Sequence, residues 1–314
     1  MIFSIPGFGT VVTGTLLNGS LNQGNEIEIL PARHKGRIRG LQTHKKKEEF
    51  ASPGSRTAVN VSGINVDDIR RGDVLAYPDQ YQSTRRIDVS FRLLPDVTLP
   101  IKHNMNVKLF IGAAESLARV RVLGTDAIQP GEEGWLQIEM EEPMVAVRKD
   151  RYIIRRPSPG ETLGGGEVLD PHPARRHKRF SKEVLSRLVL YRQGTPEDLL
   201  LQASSRLGIA LGKDLFPQSG LSEVQYQQSL KALVENGKLV SLSKPSAAVQ
   251  DQIIISQQQW EKDKRQVTDL LQEYHHRFPL RRGMPREEIK SRMKKTARMF
   301  NAQMDTWRES GVLV

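Results

Sequence analysis

Apolar and polar positions alternate through the first half of the chain, and apolar residues fall at helical spacing through the second. Phe3 and Ile5 alternate with polar or turn positions, residues 10–15 form a largely β-branched run, and residues 26–30 read Glu-Ile-Glu-Ile-Leu. Strand, turn, strand, turn, strand is the order this predicts. Pro6-Gly7 and Gly9 supply the first reversal, since glycine tolerates backbone conformations that other residues avoid. After the turn Pro53-Gly54-Ser55, residues 57–61 give another short strand, and the alternation lapses near 79–84. A small β-barrel is therefore expected over residues 1–80. Five further strands at 86–94, 106–112, 117–123, 134–140 and 150–156, broken by proline and glycine, predict a second barrel over 84–170.

From Pro173 the spacing changes. Val184, Leu185, Leu188 and Val189 fall on one helical face behind Ser181. Thr195-Pro196 opens another helix, and Ser222 caps a third that runs through Tyr226, Leu230, Leu233 and Val234 before a strand at 238–242. Three helices and a strand predict a winged helix over 173–245. About 74 residues later the pattern recurs, with helices at 266–274, 285–293 and 301–309. Residues 310–314, Ser-Gly-Val-Leu-Val, echo 236–240 and predict the first strand of a wing. The expected fold class is thus two β-barrels followed by two tandem winged-helix units, the second, over 246–314, incomplete.

Composition adds a partner class. Lys and Arg number 47 against 36 acids, a formal charge of +11, which points to a polyanion, nucleic acid first. There is no cysteine, so disulfides and thiolate metal sites are excluded, and no apolar run reaches the roughly 18 residues of a membrane span. A cytoplasmic protein without a membrane partner is expected. Lys45, Lys46 and Lys47 either approach an RNA backbone or form a solvated loop balanced by Glu48 and Glu49. Arg175 and Arg176 open a second basic stretch, 175–179, with the same two readings. His34, His44 and His103 have no ligand-spaced neighbours, so no metal site is predicted. Gly164-Gly165-Gly166 lacks the Gly-Lys-Ser/Thr ending of a nucleotide loop. No nucleophile stands beside a base, so a binding protein is expected rather than an enzyme. A DNA-binding regulator is the alternative from another class, but residues 223–231 offer Glu223, Gln225, Gln227, Gln228 and Lys231 and no arginine toward a groove.

The run Gly-Phe-Gly-Thr-Val-Val-Thr-Gly-Thr at 7–15, then Pro53-Gly54-Ser55-Arg56, then Arg70-Arg71-Gly72-Asp73-Val74-Leu75, resembles the second domain of the translational GTPases. Residues 158–171 resemble the end of the third domain of the bacterial selenocysteine-specific elongation factors, and a winged-helix tail sets that family apart from other elongation factors. The resemblance implies that Arg56 lines the pocket for the selenocysteinyl side chain. A selenol is a stronger acid than a thiol, so a fixed guanidinium attracts its anion over a neutral serine or cysteine. It also implies that Gly7 and Gly9 approach the 3′ end of the tRNA, and that the ribosome is a partner. GTP and magnesium would be held in an upstream GTPase domain, with no cofactor in this chain, and a selenoprotein mRNA hairpin would be held by two further winged helices. The same resemblance places an acidic residue and a second arginine upstream of Met1, and so implies a fragment of a longer ancestor. A generic translational GTPase fragment that binds tRNA or ribosome is the neighbouring alternative.

Overall fold

The computed structural model describes residues 2–5, 9–44, 46–243 and 246–313, without the side chains of Ser4 and Ile5. Two compact units divide the chain, Met1–Arg192 and Gln193–Val314. The first unit opens with β1 (Ile2–Ile5), β2 (Gly9–Thr15), β3 (Leu21–Asn22), β4 (Glu26–Leu30), β5 (His34–Thr43), β6 (Lys46–Glu48), β7 (Phe50–Ala51), β8 (Arg56–Ser62) and β9 (Val74–Ala76). The main sheet runs β1-β2-β8-β5-β4-β9, β6 extends it from β5, and all its neighbours are antiparallel. Ile27, Ile29, Ile38, Leu41, Val59 and Val61 form its core, as the alternation requires.

Glu28 breaks the pattern, because it is fully buried on the opposite face of β4. Arg33 Nε donates to Oε1 at 2.7 Å and the Asp79 amide to Oε2 at 3.1 Å. The Arg33 hydrogen bond holds the carboxyl below its ordinary value of 4.5, against burial, which pushes it up. A depressed folded-state value stabilises the barrel above the ordinary value, and that stability is lost as pH falls through the folded one. Glu28→Gln is therefore expected to lower the melting temperature at neutral pH and to flatten its decline between about pH 5 and pH 3. A variant that keeps the parent's acid limb would show that Glu28 does not set it.

The second barrel is closed, in the order β10-β15-β13-β12-β16-β17. Its strands are β10 (Ser83–Leu93), β12 (Asn106–Ile111), β13 (Ala114–Leu123), β15 (Glu133–Val145), β16 (Arg151–Arg155) and β17 (Thr162–Asp170), and the small pair β11 (Ile101–Lys102) and β14 (Ala127–Ile128) flanks them. Val89, Phe91, Leu109, Val120, Leu136 and Ile154 fill the interior. Helix α1 (Lys182–Gln193) packs on this barrel: Leu188 is buried with Leu123 and Leu169, and Trp135, Val184 and Leu185 close the patch. Periodicity alone assigns that helix to the winged unit, because it reports an apolar face and not the surface that face meets.

In the second unit the order is α2 (Pro196–Leu207), β18 (Ala210–Leu211), α3 (Gly212–Ser219), α4 (Glu223–Glu235), β19 (Leu239–Ser241) and β20 (Ile253–Ser256), with a sheet β18-β20-β19. This is a winged helix whose three helices are α2, α3 and α4. Capping boxes at Thr195 and Ser222 fix the starts of α2 and α4. Helix α3, with a glycine start and an internal Pro217, carries no clear helical signal and escapes the sequence reading. The helices α5 (Gln257–Arg277), α6 (Arg286–Met293) and α7 (Ala297–Glu309) follow, around Trp260, Tyr274, Phe300 and Trp307. Residues 310–313 are turn and coil, not the expected strand. The amides of Val312 and Leu313 both turn back to the Trp307 carbonyl, at 2.9 and 3.2 Å, so they close the helix end instead of pairing laterally.

Candidate nucleic-acid interface

Register places Arg56 precisely enough to build a surface around it. Arg56 opens β8 opposite Thr15, Ala58 lies between Thr13 and Gln42, and Gln42 is in turn opposite Lys47 on β6. Opposed residues share a face. Arg56, Ala58 and Asn60 therefore look outward with Thr13, Thr15, Gln42 and Lys47, while Thr57, Val59 and Val61 are buried behind them. Arg56 and Lys47 are exposed, and among the described residues neither has a hydrogen-bond or ion-pair partner. Two strand spacings and two residues separate them, about 12 Å between Cα atoms. Lys46 is exposed opposite Thr43. Lys45 and Gly7 lie outside the described residues.

Gly9 is at the other end of β2, six residues from Thr15, or about 20 Å along the strand. The structure thus brings Arg56 together with Lys47, and Gly9 together with Asn60, but not Gly9 with Arg56. With φ at +89°, Gly9 has a conformation that side chains rarely adopt, and a Cβ there would stand 3.9 Å from Asn60 Oδ1. That oxygen is buried and has no hydrogen-bond donor among the described residues. A buried acceptor left open is costly, and a bound donor would satisfy it. Sequence alone puts Asn60 on the outward face but cannot show that its carbonyl lacks a partner.

On the second barrel, Arg176 is already engaged: its Nε and Nη2 donate to Glu139 at 2.6 and 2.7 Å, and Arg86 Nε donates to the same carboxylate at 3.0 Å. Burial pushes Glu139 up, but the two guanidiniums outweigh it and hold the carboxyl below its ordinary value. Arg176 is therefore a clamp on the barrel, and its capacity for phosphate is reduced. Arg175 keeps an exposed side chain while its carbonyl accepts from Gln137 Nε2 at 3.2 Å. Arg119, in the row Arg86–Glu139–Arg119, is exposed and adds a further positive charge beside it. In α4 the outward residues are Glu223, Val224, Gln225, Gln227, Gln228, Lys231 and Glu235, a face without arginine. Among the described residues no three His, Asp or Glu side chains gather as a metal site, and no helix is long and apolar enough to cross a membrane.

Comparison with known proteins agrees with this layout. Residues 9–76 match elongation factor Tu domain 2, residues 85–175 match the β-barrel domain of the selenocysteine-specific elongation factor, and residues 268–314 match the elongation factor SelB winged helix. The selenocysteine-specific elongation factor of Desulfomicrobium baculatum is 34% identical over 294 residues, 92% of this chain and 45% of the relative. The chain belongs to the selenocysteine-specific elongation factor family. Elongation factors 1-alpha of Pyrobaculum arsenaticum and Pyrobaculum calidifontis are each 29% identical over 193 residues, but reach only 55% of the chain and 43% of their own length. The generic translation-factor alternative thus fits less well than the selenocysteine-specific one. The chain spans less than half the length of these relatives.

Proposed function

We propose that this part of the elongation factor holds selenocysteinyl-tRNA, with Arg56 facing the selenocysteinyl side chain. The observation that supports this most directly is an exposed guanidinium with no carboxylate partner among the described residues, on a sheet face where Thr13, Thr15, Ala58 and Gln42 are neutral and Lys47 adds a second positive charge. Arg56 would attract the selenolate, and Lys47 on the same face would strengthen the field without geometric demand. At the far end of that face the open Asn60 carbonyl would accept a hydrogen bond from the terminal nucleotide, whose approach Gly9 permits. Arg175 and Arg119 would meet phosphates of the tRNA arms, where charge adds affinity without sequence preference.

The residues present do not suit GTP. The glycines at 164–166 are pressed against the carbonyl oxygens of Arg92, Tyr152 and Ser90 and leave no room for a phosphate. We assign GTP and magnesium to residues of the full-length factor beyond this chain, and the selenoprotein mRNA hairpin to further winged helices. The role of these residues is then binding on the ribosome, in the cytoplasm, and not catalysis. The proposed limits of the barrels stay at 1–80 and 84–170; with α1 on the second barrel and β20 in the sheet of the first winged unit, the expected 173–245 and 246–314 become 196–256 and 257–314.

The test is titration of the chain with selenocysteinyl-tRNA, seryl-tRNA and a duplex DNA at two salt concentrations. The selenocysteinyl form should bind tightest, and Arg56→Ala should remove about tenfold of that preference, the worth of one charge-assisted contact. Equal and steeply salt-dependent binding of all three would reject the pocket and leave only a basic surface.

A further inference from the structure

The turn that joins α5 to α6 carries a dense run of positive charge in the second unit. Residues 275–286 read His-His-Arg-Phe-Pro-Leu-Arg-Arg-Gly-Met-Pro-Arg, four arginines and two histidines without one acid. His275, His276 and Arg277 complete the last turn of α5, where positive charge complements the helix dipole. The dipole gives no reason for Arg281 and Arg282 beyond the helix end, or for Leu280 before them.

The turn is held in shape. Phe278 N donates to the Tyr274 carbonyl at 2.8 Å, Arg281 N to the Phe278 carbonyl at 3.0 Å, and Arg281 Nη1 to the hydroxyl of the buried Tyr274 at 2.9 Å. Tyr274 and Phe278 pack with ring centroids 5.0 Å apart and planes tilted by 49°, which ties the turn to the core. The guanidinium carbons of Arg281 and Arg277 lie 4.8 and 5.6 Å from the Phe278 ring centre. At the apex Leu280 is 99% exposed, the most exposed large apolar side chain among the described residues. Among the described residues the side chains of Arg277 and Arg282 have no hydrogen-bond or ion-pair partner.

We propose that this turn is a second RNA-binding surface, for an unpaired RNA segment, separate from the first barrel and from the outward face of α4. Guanidiniums held over a ring have their planes oriented before binding, and those planes and Leu280 can pack on base faces while the charges meet phosphates. A duplex hides its base faces inside the stack and would use only the charges. An acidic protein segment would satisfy the arginines as well, but offers no flat partner for the guanidinium planes.

The experiment uses the whole chain and a fluorescein-labelled twelve-nucleotide oligouridine carrying a 3′ phosphate, so that it offers no aminoacylated end, with an RNA duplex of equal length beside it. Combined substitution of Arg277→Ala and Arg282→Ala should weaken oligouridine binding about tenfold and reduce the salt slope by about 1.4, two phosphates' worth for a single strand. Leu280→Ala should weaken it about threefold with the slope unchanged. Arg56→Ala should change neither, which separates this surface from the proposed selenocysteinyl pocket. Arg277 gives up only its contact with the Phe278 ring and its place at the helix end, so the melting temperature should fall by about 5 °C at most. Unchanged oligouridine binding by the double variant would overturn the proposal. So would duplex binding as tight as oligouridine binding together with no effect of Leu280→Ala, which would leave a solvated basic turn.

Discussion

Gly166→Ala is expected to destabilise the second barrel by about 3 kcal/mol or more, the upper range for overpacking, and to lower its yield as folded protein. Strand β17 closes the barrel between β16 and β10, and there the backbones approach too closely for any side chain. A Cβ on Gly166 would lie 1.9 Å from the Ser90 carbonyl oxygen and 2.8 Å from its carbon. That carbonyl cannot swing aside cheaply, because it accepts from the hydroxyl of fully enclosed Tyr152 at 2.8 Å. Burial pushes the Tyr152 hydroxyl well above its ordinary value, so it stays a donor throughout the accessible pH range. Gly165→Ala should behave similarly, since its Cβ would stand 2.2 Å from the Tyr152 carbonyl oxygen. The control is Gly14→Ala on β2, where nothing lies within 4 Å, and less than about 0.5 kcal/mol should be lost. Chemical denaturation reads both, and a Gly166 variant as stable as the Gly14 variant would disprove this account of the closure.

Asp88→Ala should cost about 3–5 kcal/mol, the loss expected when one member of a buried polar cluster is deleted. Asp88 is fully buried, accepts from Gln137 Nε2 at 2.9 Å and lies 2.6 Å from His177 Nε2. His177 N in turn donates to Gln137 Oε1 at 3.1 Å, Arg121 Nη2 to the His177 carbonyl at 3.2 Å, and Arg187 Nη2 reaches within 3.3 Å of the His177 ring. Without the carboxylate the imidazole keeps its burial and loses its partner, and the Gln137 amide is left with the Arg175 carbonyl alone. A fall of about 10 °C in melting temperature follows for a unit of this size. The residues around His177 should also come off the barrel. Trypsin would then cut at Arg175, Arg176, Lys178 or Arg179, which the parent protects through the bonds from Gln137 and from the Gly124 amide to the Arg179 carbonyl at 2.7 Å. A variant with the parent's digestion pattern would show that this cluster does not pin the segment.

Much of the fold is legible wherever one local signal suffices. The Glu-Ile-Glu-Ile alternation at 26–29 specifies a strand, and the boxes Thr195 with Asp198 and Ser222 with Gln225 fix two helix starts, because both effects act within four residues. Helix α3 and strand β20 are less legible. The first lacks a clean period, and the second, Ile-Ile-Ile-Ser, is apolar on both faces, so alternation does not mark it. For the candidate site, strand alternation alone sets Arg56, Ala58 and Asn60 on one side of β8.

The order of units, the excess of positive charge and the place of Arg56 at the head of its strand are all readable along the chain, since each follows from local spacing or simple counting. Tertiary structure alone decided which charges are free. Arg176 is taken up by Glu139, thirty-seven residues away in the chain, whereas Arg56 and Lys47 meet on one face through the register of three strands. It also decided that α1 serves the barrel and that the Asn60 side-chain carbonyl meets no donor among the described residues. The reason is common to all of these: pairing and burial depend on residues distant in sequence, and no window along the chain contains both partners.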